Sequence, residues 1–223
     1  MTRRPTRTIA TSPYLKLFLP ILLLAACAAP GTSSYSSGND MTSRQDQIAQ
    51  GRQLVLDHGC GDCHSMGVAS PMATGFLAGI SSPDGEFQIG PFKTRPRNLT
   101  PDNATGMGRF SERQIFNAIR YGLRPGETPD VEITSTIPGQ GNFPQIPKYL
   151  APPMPWIAFR HMKDDQIRAI AAYLKNGLKP VSNRVKDSDG PPDFWASTYT
   201  VEKIGPYPAP PFPAAASEKG GGK

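Results

Sequence analysis

Cysteine is scarce in this chain: three in 223 residues, at positions 27, 60 and 63. So few exclude a disulfide scaffold. They also exclude a closed zinc centre, because only His58 and His161 remain as further soft ligands beyond Cys60, Cys63 and His64. A long apolar run is missing as well. The stretch from Leu15 to Ala26 is interrupted by Lys16 and Pro20 and is too short to span a bilayer. No long run of Lys or Arg occurs, and no nucleic-acid-binding motif. The formal charge of +6 suggests an anionic partner until its distribution is considered. Of 24 basic residues, Arg3, Arg4, Arg7 and Lys16 fall within residues 1–26, which hold no acidic residue. The remaining 20 face 18 acidic residues, a balance of +2 that gives nucleic acid no reason to bind.

What is present is concentrated in Cys60-Gly61-Asp62-Cys63-His64. C-x-x-C-H is the attachment pattern of c-type haem. Two thiols three apart on a helix or tight turn face the same way and can each add to one vinyl group. The adjacent histidine then lies against the iron as an axial ligand. A thioredoxin-like dithiol would need a βαβ setting, whereas the sequence around Cys60 reads as helix. The pattern therefore assigns one haem c, covalently held by Cys60 and Cys63 with His64 on the iron.

The N-terminus agrees. A basic start, an apolar run and small residues form the anatomy of a secretory signal peptide. Leu24-Ala25-Ala26-Cys27 resembles the lipobox of bacterial lipoproteins. That resemblance implies cleavage before Cys27 and lipid on it, so residues 1–26 are the signal peptide. An ordinary signal peptide cleaved just beyond Cys27 is the alternative. Acyl chains on Cys27 would anchor the protein without a transmembrane helix. The haem domain would then face the periplasm, on an inner or outer membrane left undecided. That is the side of the membrane on which c-type haem is attached. No cysteine is left over for a disulfide.

Residues 27–42, rich in Ala, Gly, Ser and Thr, read as a lipidated flexible tether. Residues 181–223 read as a Pro/Gly/Ala-rich tail, partly disordered. Phe194, Trp195, Tyr199 and Tyr207 complicate that reading and are candidates for docking on the domain or a partner. Between them, residues 43–180 leave about 140 residues for one core.

Three helices are legible there. The first begins at Ser43 and repeats Ile48, Gly51, Leu54 and Val55 at helical spacing. The second opens on the capping box Ser111-Glu112-Arg113-Gln114 and carries Ile115, Phe116, Ile119 and Tyr121. The third follows Asp164-Asp165, carries Ile167, Ile170, Ala171, Tyr173 and Leu174, and stops at Gly177. The Pro- and Gly-dense segments between them predict loops or short hairpins rather than a large sheet. The core is small for its length, so the haem is expected to supply much of the apolar interior.

For the sixth iron ligand, Met154 stands in Ala151-Pro152-Pro153-Met154-Pro155-Trp156, where prolines stiffen the backbone. A rigid loop can hold a thioether at the iron against competing water. His161 is the alternative; His58 is too near Cys60 to reach the opposite face. Met107 and Met162 read as packing residues.

Helix, C-x-x-C-H, loop, helix, Met loop and C-terminal helix, in that order, resemble an all-α class I (mono-haem) cytochrome c. Asn98-Leu99-Thr100-Pro101-Asp102, Thr105 to Ser111, Pro152-Pro153-Met154-Pro155 and Asp165 to Leu174 are similar to cytochrome subunits of bacterial membrane-bound dehydrogenases. The resemblance covers residues 43–178. It implies Met154 as the axial methionine and a close crossing of first and last helices at Gly51. It also matches Pro91 to the proline whose carbonyl accepts a bond from the His64 ring. Lys163 replaces the usual Ser or Thr helix cap, and residues 125–145 form an unusually long Gly/Pro-rich loop. One C-x-x-C-H stands here, unlike the multi-haem dehydrogenase subunits.

His/Met ligation leaves no open coordination position. The expected function is thus one-electron transfer, as a free carrier or within a respiratory or photosynthetic complex, and not catalysis. Arg95 and Arg97 are candidate propionate partners or solvated charges, and Trp156 is expected to pack on the haem. Two other readings stand beside this one. The first is a haem enzyme or gas-binding protein with a displaceable sixth ligand; the second is an assembly subunit whose haem is incidental. Electron donor, acceptor and potential are not encoded in these motifs.

Overall fold

Repeating apolar residues and strong stop signals produce the expected helices, though not always the expected ends. The computed structural model describes residues 37–205 apart from Met66 and Ala69, with side chains from Ser43 onward. Cys27, the segment before it and Tyr207 lie outside the described residues.

Helix α1 runs Ser37–Asp57, starting ahead of Ser43. Ser37, Asn39 and Asp40 are all cap-type residues, so several start points were open to this sequence. Helix α2, Cys60–His64, follows after Gly59, whose left-handed φ of 63° turns the chain between them. Helix α3, Glu112–Tyr121, opens on the predicted capping box. Gln114 N donates to Ser111 Oγ at 3.0 Å, and Ser111 N donates to Gln114 Oε1 at 3.1 Å. The Met loop leads into a short α4, Trp156–Phe159, and then α5, Asp164–Asn176. At the start of α5 only half a capping box forms. Lys163 N donates to Gln166 Oε1 at 3.0 Å, while the lysine side chain has no acceptor to return.

α1 and α5 cross at Gly51. A methyl group built there would overlap the carbonyl of Ala169 and lie 2.8 Å from Tyr173 Cβ. Only the missing side chain permits this approach. Val55, Ile167, Ile170 and Leu174 close the seam and are almost fully buried, joining α3 residues Ile115 and Ile119 in one core.

The described residues also contain a hairpin, β1 Phe87–Ile89 and β2 Phe92–Thr94, paired antiparallel with Ile89 opposite Phe92. The domain is thus helical with one small hairpin rather than purely α. Among the described residues no helix is long and apolar enough to cross a membrane.

Residues 181–205 are not separate from the domain, as composition alone suggested. Val185 and Trp195 are buried, and Asn183 Nδ2 donates to the Ala78 carbonyl at 2.8 Å. Lys93 and Asp189 exchange backbone bonds of 2.8 and 2.9 Å. The segment ends in a single-turn α6, Val201–Ile204. Proline and glycine made it look like linker, but a few well-placed aromatics and side-chain amides are enough to bind it down.

Candidate functional site

A cavity of about 690 Å3 opens between α2, α3, α5, the hairpin, the Met loop and the 181–205 segment. This lies within the size range of cofactor sites. Its wall carries Cys60, Cys63, His64 and Met154 together, with Ile115, Ile119, Ile170 and Leu174 as apolar lining.

Cys63 is exposed and Cys60 half-buried. Burial pushes the Cys60 thiol up to about 11. A redox-active dithiol has its attacking thiol pushed the other way, so this pair does not have the environment of one. Among the described residues no group of three or more His, Cys, Asp or Glu could hold a bare metal ion. The zinc reading finds no support.

The His64 ring is fixed by one bond. Its Nδ1 lies 2.7 Å from the Arg97 carbonyl. Donation from Nδ1 leaves Nε2 as the nitrogen able to bind a metal. Burial holds the imidazole pKa below its ordinary value, against the opposing pull of the Arg97 carbonyl. That direction favours the neutral form, which a metal ligand needs.

This bond corrects an expectation. The resemblance matches Pro91 to the carbonyl partner of His64, but Pro91 is exposed in the hairpin turn. The accepting carbonyl belongs to Arg97, directly after buried Pro96. Two Gly/Pro-containing segments compete for one motif position here, and sequence spacing does not tell them apart.

Met154 is half-buried and held in a tight turn. Its N–H donates to the Ala151 carbonyl at 3.0 Å, and its own carbonyl accepts from Trp156 N at 2.9 Å. His161 is not among the residues lining the cavity, whereas Met107 is. His58 lines it as well and stacks on Phe159 at 5.6 Å.

Arg95 and Arg97 both line the cavity. Arg95 is buried and paired with Glu86 at 2.8 Å. Arg97 donates to the Lys186 carbonyl at 3.0 Å and to Ser188 Oγ at 2.9 Å. Neither is a freely solvated charge.

Trp156 is the second correction. It is buried but not among the residues lining the cavity, and it stacks on Tyr149 with ring centroids 5.8 Å apart. Pro155 ends the loop, and α4 begins at once, which carries the indole behind the loop. The tryptophan on the cavity wall is Trp195. Its indole Nε1 is buried without a hydrogen-bond partner. An unpaired buried donor is costly unless a bound group satisfies it. The presence of an aromatic in a Pro-rich segment was the signal available for Trp195; nothing in the sequence marked it as cavity-lining.

Two thiols, an imidazole, an apolar wall, a buried arginine with a half-buried one beside it, and an unmatched indole donor together fit a covalently bound haem with carboxylate arms. Comparison with known proteins agrees. The family model described as cytochrome c matches residues 48–177. The chain is 28% identical over 162 residues to the gluconate 2-dehydrogenase cytochrome c subunit of Pantoea cypripedii, covering 72% of this chain and 30% of that one. It is 26% identical over 164 residues to the fructose dehydrogenase cytochrome subunit of Gluconobacter japonicus, covering 72% and 27%. It is 27% identical over 167 residues to the alcohol dehydrogenase (quinone) cytochrome c subunit of Gluconobacter oxydans, covering 74% and 29%. The chain thus spans under a third of the length of these curated relatives. With its family model covering more than half of its residues and its C-x-x-C-H on the wall of a haem-sized cavity, this chain belongs to the cytochrome c family, whose cofactor is covalently attached haem c.

Proposed function

We propose that this protein is a one-electron carrier of the bacterial cell envelope, built on the class I cytochrome c plan with His64 and Met154 as axial ligands. The observation that carries the reading is the convergence of Cys60, Cys63, His64 and Met154 on one cavity. When bound, a haem in this site supplies a one-electron couple between ferric and ferrous iron.

The chain's own residues do the rest. Cys60 and Cys63 hold the macrocycle, so the cofactor is never lost between transfers. The Arg97 carbonyl orients His64. Pro152, Pro153 and Pro155 restrict the Met154 backbone, so its thioether, rather than water, would be offered to a bound haem iron. The apolar wall lowers the local dielectric, which together with a thioether ligand favours the reduced state. Trp195 Nε1, Arg95 and Arg97 are the donors available to the carboxylate arms.

The likeness to dehydrogenase cytochrome subunits points to a membrane dehydrogenase as the electron source. We place the protein on the periplasmic side, tethered through lipid on Cys27. A Cys27→Ala variant is expected to move from the membrane to the soluble periplasmic fraction on cell fractionation. Retention in the membrane of a haem-loaded Cys27→Ala protein would refute the lipid tether.

Axial ligation is tested on the purified ferric holoprotein. The wild type should show the red-region methionine-to-iron charge-transfer band. Met154→Ala should lose it, with a fall in potential of roughly 0.2 V within the ~0.8 V span that axial ligands cover. Met107→Leu should keep both, although Met107 also lines the cavity. A band that survives Met154→Ala, or is lost in Met107→Leu, sinks the assignment. A wild type with no such band, binding external ligands freely, would favour the haem enzyme or gas-binding reading.

A further inference from the structure

We propose that residues 181–205 act as a brace that holds the Met154 loop against the haem, with Tyr199 as its principal positioning residue. The inference rests on Met154 being the sixth ligand.

Three prolines around Met154 stiffen the loop but supply no N–H, so beyond the two turn bonds at Met154 its position depends on what packs around it. One support comes from α3. The Gly122 carbonyl, just past its end, accepts from Leu150 N at 2.6 Å, and Arg124 N donates to the Lys148 carbonyl at 2.8 Å. Gly122 has a left-handed φ of 70° and leaves no room for a side chain under the Trp156 indole. Trp156, two residues after Met154, is thereby seated on the end of α3.

The opposite support is the brace. The Tyr199 ring meets Trp156 edge-on at 5.0 Å and Tyr149 edge-on at 5.1 Å. Trp156 and Tyr149 are themselves stacked. The three rings thus fasten both flanks of the Met loop to one residue of the brace. Beyond α4, buried Arg160 donates to the carbonyls of Ile204 and Gly205. Ahead of Tyr199 in the chain, Asp193 accepts from Arg124 at 2.8 Å and Lys148 at 3.2 Å.

At its other end the same segment holds Arg97, through the Lys186 carbonyl and Ser188 Oγ. Arg97 is the residue whose carbonyl orients His64. One continuous stretch of chain therefore holds side chains next to both proposed ligands, the Arg97 guanidinium on one side and the Trp156 and Tyr149 rings on the other. With haem bound, a brace of this kind would hold the Met154 loop in one position in either oxidation state.

Imidazole titration of the ferric full-length holoprotein tests this. Imidazole binds only when Met154 is off the iron, so its apparent affinity scales with the population of that open state. Tyr199→Leu should keep the methionine-to-iron band without imidazole, yet bind imidazole about tenfold more tightly than wild type. Tyr199→Phe, which restores the ring, should stay within about twofold of wild type. Wild-type imidazole affinity in folded Tyr199→Leu overturns the brace. Should Tyr199→Leu not fold, Ile204→Ala at the half-buried end of the segment takes its place: tighter imidazole binding supports the brace, and unchanged binding overturns it. Absence of the methionine-to-iron band in the wild type would instead show that the ligand assignment itself is wrong.

Discussion

A chain carrying Cys60→Ser and Cys63→Ser is expected to lose covalent haem and, with it, this fold. The reason is the size of the space the haem fills. The cavity measures about 690 Å3. At about 24 cal/mol per Å3 of void, leaving it empty would cost on the order of 16 kcal/mol. Its mouth is open to water, so that figure is an upper bound. Even half of it consumes most of the ~5–15 kcal/mol by which a domain is stable. The double variant should therefore give no haem stain on a denaturing gel. It should also show weakened helical circular dichroism and no cooperative melt. A haem-free protein that melts like the holoprotein would refute this, because it would mean that the α1–α5 core stands without the cofactor.

Gly51→Ala is expected to produce a large loss of stability from one added methyl group. The new carbon would overlap the Ala169 carbonyl and lie 2.8 Å from Tyr173 Cβ. Both belong to a packed helix and cannot rotate aside. Overpacking of this kind costs about 2–3 kcal/mol, or a fall in Tm of roughly 5–10 °C for a domain of this size. Gly67→Ala is the comparison. Gly67 has a φ of 74° with open space where a side chain would stand, so it should lose only the left-handed backbone term, about 1 kcal/mol. Thermal melts of the two holoproteins decide the matter. If Gly51→Ala melts no lower than Gly67→Ala, the tight helix crossing is not what holds α1 and α5 together.

These two predictions differ in how far the sequence alone reaches. C-x-x-C-H is local chemistry. Five consecutive residues on one turn carry both thiols and the imidazole, so no tertiary information is needed to read them. The Ser111–Gln114 capping box and the apolar spacing of α3 and α5 are local in the same sense. Gly51 was legible only through resemblance, because a helix interior gives no sign of which neighbour will press on it.

Other residues were misread for a common physical reason. His64 needed a carbonyl partner, and sequence could not choose between Pro91 and the Pro96-Arg97 pair, since folding alone brings one of them to the ring. Trp156, two residues after Met154 in the chain, lies outside the cavity lining. Trp195, far away in sequence, took a place on the wall. Composition made residues 181–205 look like tail, because it counts prolines and glycines but not the aromatic contacts a few side chains can make at a distance.

The sequence by itself thus determined the family's cofactor, haem c, the place of the Cys60–His64 run that matches its attachment pattern, and the helical segments around it. Each depends on residues a few positions apart, where covalent geometry dictates the outcome. Only the tertiary structure decided which carbonyl steadies His64, which tryptophan meets the cavity, and that the segment after α5 closes over the Met154 loop. Those are contacts between residues tens of positions apart, chosen by packing.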